Sequence, residues 1–311
     1  MKAGEHKDYK TPMPPPEDSW KFKLGVPGWI AGVDGTSGIN GHAKQSDIKA
    51  DQILRRVDMT ASFRGEASKG RFGIMGDFLY LSLSDGIGTN TMVKKLDIQL
   101  DEVIAELALR WRVVQTERCS LDIFGGVRYV NIHQAAVLQP NDPRINEVAT
   151  VLSAPGREII RRLAEDLGSL DRLNADLPVA PLTADLRSRL AQAIGRIAGN
   201  ADERKEKIEK LLHDALDQRI SRTDDWWDPF IGLRGQVSLS EKCFFSAKGD
   251  IGGFGVGSDF AWQAEAVFGV SLTPRHYAEL GYRALSMDYD KDGLIVDTVT
   301  HGAIVTLGMK F

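Results

Sequence analysis

The chain has 311 residues, with 39 Lys and Arg against 43 Asp and Glu and a formal net charge of −4. This near balance argues against an electrostatic nucleic-acid binder. No apolar run approaches the roughly 18 residues a spanning helix needs, which excludes a helical membrane protein. Two cysteines, Cys119 and Cys243, are too few for a disulfide framework and lack metal-ligand spacing; each begins a predicted strand with one strand between them, about 9 to 10 Å at ladder spacing, so free thiols are expected.

The chain opens with MKAGEHKDYKTPMPPPEDSW, a polar, Pro-rich stretch without the apolar core of a secretion signal. Residues 1–19 are expected to be a flexible lead-in, and an exported protein would be present here in its mature form.

From residue 20 the texture is Gly, Val, Phe, Tyr and Trp, and the pattern is alternation. Strands are predicted at 20–36, 54–67, 71–84, 99–116 and 119–136. From Val103 to Val113 one face carries Val, Ala, Leu, Leu, Trp and Val, while the other includes Glu106, Arg110 and Arg112. Leu121, Ile123, Val127 and Tyr129 alternate in the same way with Asp122, Phe124 and Arg128. Residues 20–138 form the first half of a sheet by this reading.

Residues 139–224 are different, rich in Leu, Ala, Arg, Asp and Glu. Ile159, Ile160, Leu163, Leu167 and Leu170 fall at helical spacing from near Ser153. Leu186, Leu190, Ala193, Ile194 and Ile197 do so after a cap at Thr183, and Ile208, Leu211, Leu212, Ala215 and Leu216 after Asn200. About three helices are predicted here.

Alternation returns in 225–311, with strands predicted at 227–241, 243–254, 258–273, 275–289 and 295–311. The glycine-rich run KGDIGGFGVGSDFAWQ sits between two of them. A phosphate-cradling loop opens a helix, whose N-terminal amides hold the anion. No helix follows here, so Gly252, Gly253, Gly255 and Gly257 read as a sharp bend at a rim. DYDKDG at 288–293 resembles a calcium loop but lacks the closing Glu, and a hairpin turn at Asp292-Gly293 is the better reading.

Ten strands of about ten residues or more are joined alternately by short polar turns (ASKGR, QTERC, LSEKC, LTPRH) and by longer connections. That asymmetry predicts an all-β transmembrane antiparallel up-and-down barrel with an α-helical insertion. A soluble sheet with one wet face is the competing reading of any single strand. With the apolar face toward lipid, Arg64, Glu66, Asp77, Glu106, Arg110, Arg112, Asp122, Arg128, Arg234, Lys248, Asp250, Glu265, Glu279 and Arg283 meet in the lumen as a network of mixed sign. Trp111, Trp226, Trp227, Trp262, Tyr282 and Phe311 are expected at the membrane interfaces.

The segments WDP at 227–229 with Gly232 and Arg234, GDIGGFGVGSDFAWQ, GYR at 281–283 and RFGIMGDFLYLSLSD resemble a group of bacterial outer-membrane β-barrel proteins of unassigned activity. The resemblance spans both flanking blocks, about two thirds of the chain, and implies an outer-membrane location with no catalytic residues to carry over. The helical insertion departs from that pattern. The ending AIVTLGMKF, with Ala303, Val305, Leu307, Met309 and Phe311 on one face, resembles the C-terminal strand read by the barrel-assembly machinery.

His42, His133, His213, His276 and His301 are the candidate catalytic histidines, but no nucleophile pairing is legible around them. No cofactor, metal or catalytic constellation is expected. The expected partners are outer-membrane lipid, the barrel-assembly machinery and, through residues 142–222, copies of the chain or another surface protein. The leading functional expectation is a structural or interaction role. An outer-membrane enzyme acting on lipid or peptide and a narrow small-solute pore are the rivals.

Overall fold

The computed structural model describes residues 19–39, 42–88, 91–153, 189, 192–194, 196–197, 200–217 and 219–311. Among the described residues, eleven strands and three helices have defined bounds, in chain order. They are β1 (Lys21–Ile39), β2 (His42–Ile48), α1 (Ala50–Leu54), β3 (Val57–Lys69), β4 (Phe72–Gly88), β5 (Val93–Gln115), β6 (Cys119–Pro140), α2 (Asp142–Ser153), α3 (Ala201–Leu216), β7 (Arg219–Ser238), β8 (Cys243–Gly252), β9 (Phe260–Ser271), β10 (His276–Lys291) and β11 (Leu294–Lys310). All neighbours are antiparallel, and β11 returns to β1 in an unbroken ladder from Lys23↔Lys310 to Ile39↔Leu294. The result is a closed ten-stranded transmembrane barrel, with β2 as an extra strand beside the far end of β1.

Alternation places the side chains. On β5, Leu107, Leu109 and Trp111 are exposed, while Ala108 and Arg110 between them are buried. The same outward rows recur in Ile123 and Val127, Ile231 and Leu233, Phe268, Leu280, Val305 and Leu307. Apolar rows around a whole circumference need lipid as solvent, and an inward set of charges fits the same arrangement.

One end of the barrel carries both termini and four tight turns. Three of these turns use the same local device. A hydroxyl accepts the N–H three residues ahead: Thr116 from Cys119 at 2.9 Å, Ser240 from Cys243 at 3.0 Å and Thr273 from His276 at 2.9 Å. At the opposite, loop end, β10 and β11 are joined through Asp292 (φ 53°) and Gly293 (φ 80°), a two-residue hairpin whose positive dihedrals suit Asp-Gly. The glycine run is also a turn: β8 stops at Gly252, and Gly253 (φ 84°) and Gly255 (φ 76°) reverse the chain into β9. Both cysteines are free.

The insertion differs in detail from its prediction. Strands take more of it than expected, since β6 continues to Pro140 and β7 begins at Arg219. α2 lies ahead of the predicted helices and buries Ile145, Val148, Ala149 and Leu152 at helical spacing. α3 begins where expected, with Asn200 as N-cap accepting Glu203 N–H at 2.9 Å. Its Ile208, Leu212 and Leu216 pack with α2, Ile194, Met92, Val93 and Leu138 in one apolar cluster on the β5–β6 corner. The run from Ile159 to Leu170, together with Thr183, Leu186 and Leu190, falls outside the described residues.

The strand β2 and the short helix α1 were not anticipated. They sit where β1 loses β3. That ladder covers only Lys21↔Ser68 to Gly25↔Arg64. The mutual bonds between Phe22 and Phe311 turn the even residues of β1 toward β11, so odd residues face β3. Pro27 therefore falls where β3 needs an N–H, and it has none to give. Its carbonyl takes the Ser62 hydroxyl instead. From Val33 upward β1 pairs with β2.

Candidate functional site: the barrel interior

The lumen is built in two layers. The layer toward the termini is ionic, and the structure gathers there all fourteen charged residues singled out in the sequence. Arg64 grips Glu265 with both terminal nitrogens (2.7 and 2.8 Å) and Asp77 through Nε (2.8 Å). Asp122 accepts from Arg110 (3.1 Å), Arg112 (2.8 Å) and Arg234 (2.8 Å), and Arg234 also reaches Glu66 at 2.7 Å. Arg128, fully buried, donates to Glu106 and Asp250 at 2.8 Å each. Arg283 lies 3.4 Å from Asp77 and 3.7 Å from Glu106, and Lys248 lies 3.8 Å from Glu265. Glu279 is held by Lys23 at 2.6 Å. Lys23 was missed in the sequence, although its odd position on β1 shares the face of Gly25 and Pro27.

Such a layer is self-consistent because each buried charge has an opposite neighbour. Unpaired, any one of them would carry a desolvation penalty of several kcal/mol. Below the network a vestibule of about 740 Å³ lies at the terminal end, bordered by Phe22, Arg275 and Phe311. In it, Lys23 lies 4.3 Å over the Tyr277 ring, and Lys310 lies 5.6 Å from both Tyr277 and Phe244.

The layer toward the loop end is apolar. Ile104, Val130, Ile132, Trp226, Leu285, Met287, Tyr289, Leu294 and Val296 form one buried cluster, flanked by the half-buried Trp29, Leu79 and Leu100. This corrects the expectation that charge fills the whole lumen: inward positions on β10 and β11 above Arg283 and Thr298 are Leu, Met, Tyr and Val. It also corrects Trp226. Adjacent residues of a strand face opposite ways, so Trp226 points inward with Asp228 and Phe230 and stacks on Tyr289 at 4.2 Å. Its indole N–H donates to Asp228 at 3.2 Å. Asp228 also accepts from the backbone and hydroxyl of Ser258 at 2.6 and 2.7 Å, tying the glycine turn into the barrel mouth.

The other predicted interface aromatics lie on the outer face. Trp227 stands exposed against Tyr129 (4.8 Å), Trp111 against Phe72 (4.9 Å), and Phe311 and Tyr282 are exposed. Trp262 is half-buried in the row of Phe260 and Ala264.

One histidine, His301, sits in a cluster that the sequence did not disclose. His301 Nε2 donates to the Asp34 carboxylate at 2.6 Å, since that oxygen only accepts, and Nδ1 lies 2.5 Å from the Tyr282 hydroxyl. Tyr282 and His301 come from the β10–β11 hairpin, and Asp34 on β1 joins them when the barrel closes. They face outward, between apolar Ile30 and Leu280 on one side and Asp297 and Asp288 on the other. His133 contacts Thr223 at 2.7 Å, and His276 contacts Thr273 at 2.9 Å. His213 lies 3.5 Å from Asp142 between α3 and α2. His42 begins β2. No cluster of three or more metal-ligating side chains occurs among the described residues.

No protein-family model matches the chain, and no curated protein sequence matches it. Among solved structures, it is similar to the outer membrane protease OmpT from Escherichia coli (10% identity, 95% of this chain and 97% of that chain, TM-score 0.47). It is also similar to the translocator domain of autotransporter NalP from Neisseria meningitidis (11% identity, 94% and 89%, TM-score 0.36) and to the outer membrane protein OprG from Pseudomonas aeruginosa (10% identity, 95% and 97%, TM-score 0.30). These likenesses are weak, and the functional reading rests on the chain's own geometry.

Proposed function

We propose that this chain is a bacterial outer-membrane barrel that does not conduct along its axis and that presents a helical cap at the cell surface for assembly, with copies of itself or with another surface component. The observation that carries this reading is the stacked filling of the lumen, an ionic layer beneath an apolar one. The short turns and termini lie on the periplasmic side, which puts α2 and α3 outside the cell. The apolar faces of these helices are spent on each other and on the β5–β6 corner. What α3 offers outward is mixed charge, with Glu206, Lys207, Lys210 and Asp214 exposed. A partner bound through that face would be held in a salt-sensitive way. The test is electrophoretic mobility of boiled against unboiled protein in detergent, with and without residues 142–217. The mobility shift is expected to survive the deletion, and any higher-order species to vanish. Higher-order species that persist without the helices would end the assembly reading.

A second reading, an enzyme acting on lipid at the outer surface, is favoured by Asp34–His301–Tyr282. An Asp-oriented imidazole facing a hydroxyl is the arrangement that activates a nucleophile or base. Turnover of lipid substrate that is lost in both His301→Gln and Tyr282→Phe would establish it, and full activity in either would dismiss it.

A further inference from the structure

The barrel wall is incomplete between β1 and β3, and the gap opens on the apolar layer. Below it, the ladder ends at Gly25↔Arg64, and Ser62 caps Pro27. Above it the junction of β2 and α1 lies against β1, so closely that a Cβ on Gly32 would lie 2.8 Å from Ile48 O and 3.3 Å from Ala50 N. The chain passes from there through α1 into β3. On a closed wall, alternate residues are covered. On β3, just past a register shift between Val57 and Met59, Met59 on the outer row with Phe63 and Thr60 on the inner row with Arg64 are both exposed.

The gap lies in the lipid. Val26 and Ile30 flank it on β1, Met59 and Phe63 on β3, all exposed and apolar. Inside, the fully buried members of the apolar cluster come from β5, β6, β7, β10 and β11, and none comes from β3. The cluster residues nearest the gap are Trp29 on β1 and Leu79 on β4, opposite Ser62 of β3, and both are half-buried. The interior's apolar surface is therefore continuous with the bilayer through this side, while the axial route is filled by Trp226 and Tyr289.

Two donors mark the inner end of the gap. The Arg283 guanidinium lies 4.8 Å over the Trp29 ring. Arg283 Nε and Trp29 Nε1 are both buried and make no hydrogen bond among the described residues. Buried N–H groups are paired in the great majority of cases, so this pair calls for an acceptor. Asp77 and Glu106 already neutralise Arg283, and a second anion would meet their repulsion.

We infer that the β1–β3 gap is a lateral portal through which a membrane-dissolved hydrocarbon chain carrying a neutral oxygen acceptor, such as an ester, enters and binds beside Trp29 and Arg283. This site goes beyond the assembly reading and does not depend on it.

The test uses the full chain folded into phospholipid vesicles containing a trace of a long-chain fatty acid methyl ester with a diazirine in the chain. Crosslinked residues are mapped by peptide mass spectrometry after illumination. Inward-facing Trp29 and Leu79 are expected to be labelled together with outward residues such as Ile30 and Val305. Thr60→Trp fills the gap from an exposed position and is expected to abolish inner labelling while sparing outer labelling and heat-modifiability. Labelling of outward residues alone in the unaltered chain would overturn the portal, as would inner labelling that Thr60→Trp leaves intact. The ionised free acid with the same diazirine is expected to leave the interior unlabelled. Equal inner labelling by the acid would overturn the neutral-oxygen assignment.

Discussion

The two layers of the lumen fill similar space by different physics. Around Arg128 every contact is directional: two carboxylates at 2.8 Å and the Phe230 ring 5.1 Å away. Around Leu285 and Met287 the contacts are apolar and differ mainly in volume. An ionic layer fixes one geometry and tolerates little, because removing one member strands the charge of another. An apolar layer seals the bore with less positional precision.

That contrast is sharpest when a single cation is lost. Arg128→Met leaves Asp250 without its cation and Glu106 with only Arg283 at 3.7 Å, and a destabilisation of about 3–5 kcal/mol is expected, read as a lower urea midpoint for loss of the fast-migrating folded form. Leu285→Ala, in the other layer, creates a cavity and is expected to cost about 3 kcal/mol in the same measurement. Combining Arg128→Met with Glu106→Gln and Asp250→Asn removes the stranded charges, and most of the loss from the single change is expected to be recovered. If the triple variant is no more stable than the single one, the electrostatic account of the ionic layer is wrong.

Two further experiments probe the edges of the comparison. Replacing both Trp226 and Tyr289 with Ala thins the apolar seal, and planar-bilayer recordings are expected to show small ion currents absent from the unaltered protein. Lys248 lies 3.8 Å from Glu265, which Arg64 grips at 2.7 Å as well. Lys248→Met leaves that carboxylate paired and is expected to cost less than Arg128→Met in the urea measurement.

Much of this architecture is legible in the chain because the strand period is two. Once Arg110, Asp122 and Arg128 are assigned inward, Glu106 and Arg112 follow by parity on the same strands, and the same alternation read strand by strand gives the other lumen charges. Parity also decides Trp226 against Trp227. Reading the pair as two girdle aromatics gives weight to residue type where position was stronger. Pro27 was visible too: a proline inside a predicted strand marks an edge that cannot be paired at that point. What the sequence does not disclose is closure. Tyr282 and His301 meet across the β10–β11 hairpin, but Asp34, at the other end of the chain, joins them only because β11 lands on β1 in one register. β2 and α1 carry little periodicity in GHAKQSDIKADQIL, so tertiary placement rather than pattern defines them. α2 shows the opposite case: Ile145, Val148, Ala149 and Leu152 already have helical spacing, yet they lie just ahead of the runs from which the helices were read.

The unequal edges of β1 have a consequence for how the molecule assembles. Its partner along almost its full length is β11, the last strand to be made, while β3 offers five residues. The N-terminal strand therefore gains most of its backbone partners only when the far end of the chain arrives, a contact of nearly maximal sequence separation. Such closure is slow, because the entropy of a very large loop must be lost before any bond repays it. Strands β3 to β11 form an unbroken series of neighbours, so they can associate as an open curved sheet first, with β1 entering last as the strand that completes the ring.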